Sequence, residues 1–177
     1  MDWFKYSIPT IVMILFIVWG LLRQRRKGMW IDPDDPLNVK ARAMAVSTFK
    51  EATELAVRES LPIRVKYPFK TDTDQTERIW GYVMSFDEAE IVADIETNPI
   101  SQFGWIPESV TFPVADLDDW TIELPDGKIR GCFGVQAEII LREREGGKVP
   151  KHIREMQSEF VDKLTFDDDT DIKNDKE

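Results

Sequence analysis

The sequence is poor in the two side chains that most often build metal and thiol-nucleophile sites. It has one cysteine, Cys132, and one histidine, His152. A lone cysteine closes no intrachain disulfide and builds no thiolate metal site. A cysteine nucleophile needs a base beside it, and His152 belongs to a separate predicted helix. We therefore expect no metal and no cofactor, and interpret Cys132 as a small buried residue on a strand.

Phosphate-binding features are also scarce. Gly127-Lys128, with Gly131 beyond it, indicates a hairpin turn and lacks the spacing and the Ser or Thr of a P-loop. The net charge is −10, and because residues 1–30 hold five basic side chains and one acidic, the remaining residues carry −14. A domain of that charge repels a phosphate backbone, which excludes nucleic acid as an expected partner.

Charged residues are absent from positions 6–22, which read YSIPTIVMILFIVWGLL. With Trp3 and Phe4, this run reaches the roughly 20 residues that span a hydrocarbon core of about 30 Å. The basic residues follow the run and no small-residue cleavage site is visible, unlike a secretory signal peptide. The sequence predicts a transmembrane anchor with a basic collar at residues 1–27, in contact with lipid through residues 3–27.

The orientation of this anchor follows from the basic residues at its two ends. Arg23, Arg25, Arg26 and Lys27 come after the apolar run, and only Lys5 precedes it. Because loops rich in Lys and Arg remain in the cytoplasm, we expect the N-terminus outside and the C-terminal domain on the cytoplasmic side of the plasma (inner) membrane.

The rest of the chain predicts one α+β domain over residues 37–165, after a linker at 28–36. Asp34 or Asp35 precedes an apolar stripe that predicts a helix from about Pro36 to Glu59. Apolar alternation predicts strands at 63–69, 78–86, 90–96, 109–114, 119–124 and 129–141. We expect a mostly antiparallel, curved sheet flanked by two amphipathic helices.

The C-terminal part predicts a second helix followed by a tail. The helix has an apolar stripe formed by Ile153, Met156, Phe160, Val161 and Leu164. Residues 166–177 contain few apolar side chains and many aspartates, a composition typical of a disordered acidic tail.

Several short motifs occur along the domain in a fixed order. They are Arg42-Ala43-Met44-Ala45 in the helix, Val65-Lys66-Tyr67-Pro68-Phe69, Glu77-Arg78-Ile79-Trp80, Asn98-Pro99, Asp119-Trp120, and Gly127-Lys128 with Gly131. In this order they resemble the YegJ-like family, a bacterial domain of unknown function, over residues 36–142. The resemblance implies a bacterial source and no established activity. The sequence departs from the family in the long loop at 98–108 and at Cys132-Phe133-Gly134, and the anchor lies outside the shared region.

Aromatic side chains beside carboxylates favour a recognition role. Trp80, Trp105, Trp120, Tyr82 and Phe103 are candidates for a contact surface, and Glu77, Glu96 and Asp119 are candidates for its acidic rim. Trp and Tyr are preferred at interfaces because they bury much area at low entropic cost. The alternative is that Trp80 and Trp120 belong to the core, whereas Trp105 lies in the 98–108 loop, where binding residues are common.

Three functions remain open from the sequence. The first is a non-enzymatic protein-binding module, with a toxin-neutralising immunity protein as a special case. The second is a carboxylate-dependent hydrolase, because two nearby carboxylates can divide acid and base roles; its candidates are Glu77, Glu96, Asp118 and Asp119. The third is a structural component of an envelope complex.

Overall fold

The computed structural model describes Asp32 and residues 34–164. The predicted anchor at 1–27, most of the linker and the acidic tail lie outside the described residues, and those three remain predictions. None of the helices within the described part of the chain has both the length and the apolarity that a membrane crossing requires.

The first described helix confirms the sequence prediction. Helix α1 (Pro36–Glu59) begins after Asp35, whose carboxylate accepts a hydrogen bond of 2.9 Å from the N–H of Leu37. Its buried face consists of Leu37, Ala41, Ala45, Phe49, Ala52, Thr53 and Ala56. The helix ends where Ser60 takes a left-handed conformation with φ 55°.

Six strands form one antiparallel sheet, which confirms the predicted α+β class. The strands are β1 (Arg64–Lys70), β2 (Thr76–Phe86), β3 (Glu90–Asp94), β4 (Ser109–Pro113), β5 (Asp119–Glu123) and β6 (Ile129–Gly131). Their order across the sheet is β4-β3-β2-β1-β5-β6. A short 3₁₀ helix (Val114–Asp116) joins β4 to β5.

The sheet is curved between β1 and β4. Two strands, β2 and β3, separate these strands in the sheet, yet the rings of Tyr67 on β1 and Phe112 on β4 stack with centroids 4.5 Å apart. Neighbouring strands lie about 4.8 Å apart, so the two rings could not meet across a flat sheet. A register shift between Val83 and Ser85 of β2 adds local twist to the same region.

The prediction of a long strand at 129–141 is wrong. Strand β6 ends at Gly131, and helix α2 (Phe133–Arg144) follows directly. Gly131 and Cys132 both have positive φ, 76° and 58°, which ends the strand and turns the chain. Cys132 is buried as predicted but is the N-cap of α2 and not a strand residue. The described domain thus has a helix that the apolar alternation did not predict.

The predicted C-terminal helix is shorter than its apolar stripe. Helix α3 covers Lys151–Met156 only. Beyond it, Phe160 forms a parallel bridge with Ile129 of β6. The buried amide of Gln136 holds the segment that follows: its Nε2 donates to the carbonyl of Asp162 (2.8 Å), and its Oε1 accepts from the N–H of Leu164 (2.9 Å).

Candidate functional site

The structure places Trp120 in the core and not on a contact surface. Its side chain is 1% exposed. The indole Nε1 donates to the carbonyl of Ala45 and to the hydroxyl of Thr48 in α1, both at 3.1 Å. The ring also packs edge-on against Phe133, with centroids 5.9 Å apart. Trp120 therefore joins the sheet to α1 and α2.

Asp119 is a buried cap for helix α2. Its carboxylate accepts hydrogen bonds from the N–H groups of Phe133 (3.0 Å) and Gly134 (2.8 Å), the first two residues of the helix, and from that of Trp120 (2.9 Å). Burial raises the pKa of Asp119 to about 7, although these three hydrogen bonds oppose the shift. Cys132 supplies no side-chain cap, so Asp119 satisfies N–H groups that would otherwise be unpaired.

Trp80 and Glu96 belong to a separate cluster around Arg64. The guanidinium of Arg64 lies 5.3 Å from the ring centroid of Trp80 and 5.8 Å from that of Tyr82. It also forms an ion pair with Glu96 at 2.7 Å. Trp80 is half-buried in this arrangement. The cluster fixes the Trp80 ring against the sheet.

Glu77 lies apart from Trp80, because successive side chains of β2 alternate between the two faces and these residues are three positions apart. Its carboxylate accepts hydrogen bonds from the N–H groups of Ile100 (2.7 Å) and Ser101 (2.5 Å). Hydrogen bonds from Ser101 and Ile100 hold the pKa of Glu77 below its ordinary value. Glu77 is thus a support for the loop at 98–108.

A second carboxylate supports the same loop. Asp72, in the turn between β1 and β2, accepts from the N–H of Gly104 (2.7 Å) and that of Phe103 (3.2 Å). In return, the N–H of Asp72 donates to the side chain of Gln102 at 2.8 Å. The Gln102 amide also donates to the carbonyl of Trp105 at 2.9 Å. The turn between β1 and β2 and the loop at 98–108 are therefore held together by hydrogen bonds, each between a side chain of one and a main-chain N–H of the other.

Three large apolar side chains of this loop are exposed to solvent. Ile100, Phe103 and Trp105 are 89%, 83% and 79% exposed, the three most exposed large apolar residues of the described chain. We call them the apolar triad. Phe103 and Trp105 were predicted contact residues, but Ile100 was missed; its only signal in the sequence was an apolar residue next to Pro99 in a loop.

The carboxylates named for hydrolysis bind different partners. Glu77 binds loop amides, Glu96 binds Arg64, Asp118 binds Arg78, and Asp119 caps α2. Burial raises the pKa of the Cys132 thiol to about 12, so it is a neutral thiol at pH 7. Among the described residues, no three His, Cys, Asp or Glu side chains are grouped so that they could hold a metal ion.

The site with the most distinctive geometry is therefore the apolar triad and the two carboxylates beneath it. Comparisons of this chain with family models, with curated proteins and with solved structures found no match.

Proposed function

We propose that this protein is a membrane-anchored, non-enzymatic protein-binding module of the YegJ-like kind, whose contact surface is the apolar triad. In this proposal residues 1–27 hold the domain at the cytoplasmic face of a bacterial membrane. The triad contacts a protein partner, and a toxin-neutralising immunity protein would be one special case.

The observation that carries the proposal is an exposed apolar loop whose main chain is already held in place. Ile100, Phe103 and Trp105 together expose most of their side-chain surface. Isolated surface apolar residues need no explanation, but three large ones within six residues of one exposed loop favour an interaction site. A flexible loop would lose entropy on binding. The hydrogen bonds from this loop to Asp72 and Glu77 reduce that cost in advance.

The charges near the triad favour a protein partner over the surface of an anionic bilayer. The carboxylates of Asp72 and Glu77 lie under the loop, and Glu108, its last residue, is exposed. Anionic headgroups would be repelled by these groups, whereas a neutral or basic protein surface would be attracted. Aromatic side chains such as those of Trp105 and Phe103 are enriched in the cores of protein interfaces.

Photocrosslinking tests the proposal directly. A photoreactive phenylalanine analogue would replace Trp105 in the full-length chain, in the cells that naturally make it. The matched control is the same analogue at Val57, which is 70% exposed on α1. We expect a discrete protein adduct from position 105 that is absent from position 57, and the same adduct from position 103.

The opposite result is equally clear. If position 105 yields no adduct, or the same adducts as position 57, the triad is not a contact surface. A lipid adduct without a protein adduct would mean that the triad contacts the bilayer and not a protein. Identification of the adduct would also separate a soluble partner from other subunits of an envelope complex, the structural alternative.

A further inference from the structure

Two strand edges face each other beside the apolar triad. Strand β4 is the last strand at one end of the sheet. Strand β1 pairs with β5 only through Arg64, Val65 and Lys66, so among the described residues no strand pairs with the second half of β1 on that side. The curvature that stacks Tyr67 on Phe112 brings these two edges toward each other.

A cleft of about 710 Å³ lies between the two edges. Residues 68–71 line one wall and residues 109–113 line the other, and Gln102 and Pro107 of the loop contribute to it. Phe69 and Phe112, both buried, provide apolar lining. The cleft is therefore continuous with the loop that carries the triad.

The hydrogen-bond pattern shows which main-chain groups point toward the cleft. On β4, the N–H of Val114 donates to the carbonyl of Ala89 (2.9 Å), so even-numbered residues bond to β3. Opposite residues of antiparallel strands alternate between bonded and non-bonded pairs. The main-chain groups of Ser109, Thr111 and Pro113 therefore point outward, and within the described chain no hydrogen bond satisfies the N–H or the carbonyl of Thr111.

The same alternation applies to β1. The N–H of Thr71 donates to the carbonyl of Gln75 (2.8 Å), and that of Val83 to the carbonyl of Ile63 (2.9 Å), which directs odd-numbered residues toward β2. Pro68 and Lys70 then direct their main-chain groups toward the cleft. Among the described residues, the β4 wall thus offers unpaired donors and acceptors at strand spacing. The β1 wall offers the N–H and carbonyl of Lys70 and the carbonyl of Pro68, since proline has no N–H. An extended peptide satisfies such groups.

The charged residues that line the cleft favour one kind of peptide. Asp116 at one end of the cleft is exposed and has no ion-pair partner among the described residues. Lys70, the basic residue of the lining, already pairs with Asp74 at 3.1 Å. Arg78 also lies near Asp116, but it forms an ion pair with Asp118. Asp116 therefore favours a basic side chain in the bound segment.

We propose that this cleft binds an extended segment of a partner protein, which adds as a strand to the free edge of β4. The segment has apolar side chains for the lining and a basic residue near Asp116. This inference rests on the proposed function, since it specifies how the partner of the triad is held. Pro113 removes one donor from the edge, so Thr111 and Ser109 supply the N–H groups of the added ladder.

The test compares two substitutions at one position. Thr111→Pro removes the outward N–H, whereas Thr111→Ala removes the side chain and keeps that N–H. The full-length chain in lipid nanodiscs is titrated into fluorescein-labelled peptides of about eight residues, a usual strand length. The peptides alternate Val with Thr and carry Lys at either end. Thr111→Pro should weaken binding at least about tenfold, and Thr111→Ala by less than about threefold.

A second arm leaves the protein unchanged. The best-binding peptide is methylated at one or the other alternating set of its amides. We expect at least one set to abolish binding, because a strand donates those N–H groups to the edge. Equal affinity of both methylated peptides and the parent, or no binding by any peptide at about 1 mM, would overturn the proposal even if Thr111→Pro fails to fold.

These outcomes are separable from failure of the proposed function. Trp105→Ala in the same titration reports on the triad, while the crosslinking at position 105 reports on the partner. Peptide binding that depends on Thr111 without any adduct at 105 would retain the cleft and refute the triad. An adduct at position 105, together with peptide binding that does not depend on Thr111, would retain the triad and refute the cleft.

Discussion

Replacement of two tryptophans by alanine should have opposite consequences, because the fold treats them differently. Trp120 is 1% exposed and is hydrogen-bonded to α1. Truncation of a buried Trp to Ala typically costs about 3–5 kcal/mol, through lost transfer energy and the cavity that remains. Trp105 is 79% exposed, so it buries only about a fifth of a side-chain area of roughly 250 Å². At about 25 cal/mol per Å², loss of that buried area in Trp105→Ala should cost about 1.3 kcal/mol.

Urea unfolding followed by far-UV circular dichroism measures the loss of unfolding free energy in both variants without relying on tryptophan fluorescence. We expect Trp105→Ala to lower the urea midpoint only slightly and to abolish binding to the crosslinked partner, measured with the two purified proteins. We expect Trp120→Ala to lower the midpoint strongly. If Trp105→Ala destabilised the domain as much as Trp120→Ala, the triad would be part of the core and the reasoning from exposure would be refuted.

Two further predictions concern the junction between β6 and α2. A methyl group on Gly131, which has φ 76°, would lie 2.3 Å from the carbonyl oxygen of Trp120, whereas Gly127, with φ 79°, has no atom within 4 Å of that position. Gly127→Ala should therefore cost about 1 kcal/mol from backbone strain alone. Gly131→Ala should cost at least about 3 kcal/mol, since the backbone clash adds to that strain; equal urea midpoints would contradict this. Burial raises the pKa of Asp119 to about 7 from 3.8, and a raised folded-state pKa gives stability that is complete below the unfolded value and lost as the pH rises through 7. The free energy of unfolding of the wild type relative to Asp119→Asn should thus fall between about pH 4 and pH 8, and a difference that stays constant or grows would show that Asp119 does not titrate in this way.

Short-range sequence patterns were sufficient to predict the helix and strands whose caps and apolar periodicity lie within the element itself. Helix α1 was predictable because Asp35 caps it and because its apolar residues recur on one face. The strands β1 to β5 were predictable because alternation identifies a half-buried strand. Prediction of α2 failed for a different reason: its N-terminal amides are capped by Asp119, which precedes them by fourteen and fifteen residues in the chain.

The candidate site was only partly predictable. Phe103 and Trp105 stood out because they lie in a Pro-bounded loop, but the sequence alone did not show which of Trp80, Trp105 and Trp120 is buried. Whether a ring is buried depends on which elements pack above it. Arg64 covers Trp80, and α1 covers Trp120, but within the described chain no side chain covers Trp105 to a comparable degree.

The sequence by itself determined the acidic charge of the domain, its α+β class, the position of α1 and the approximate limits of five strands. These properties depend on composition and on short-range periodicity. The tertiary structure alone decided that Asp119 is a helix cap, that Glu77 and Asp72 hold the triad in solvent, and that β1 and β4 face each other across a cleft. Each of these arrangements depends on contacts between residues far apart in the chain, and such contacts form only when the curved sheet and its helices are assembled together.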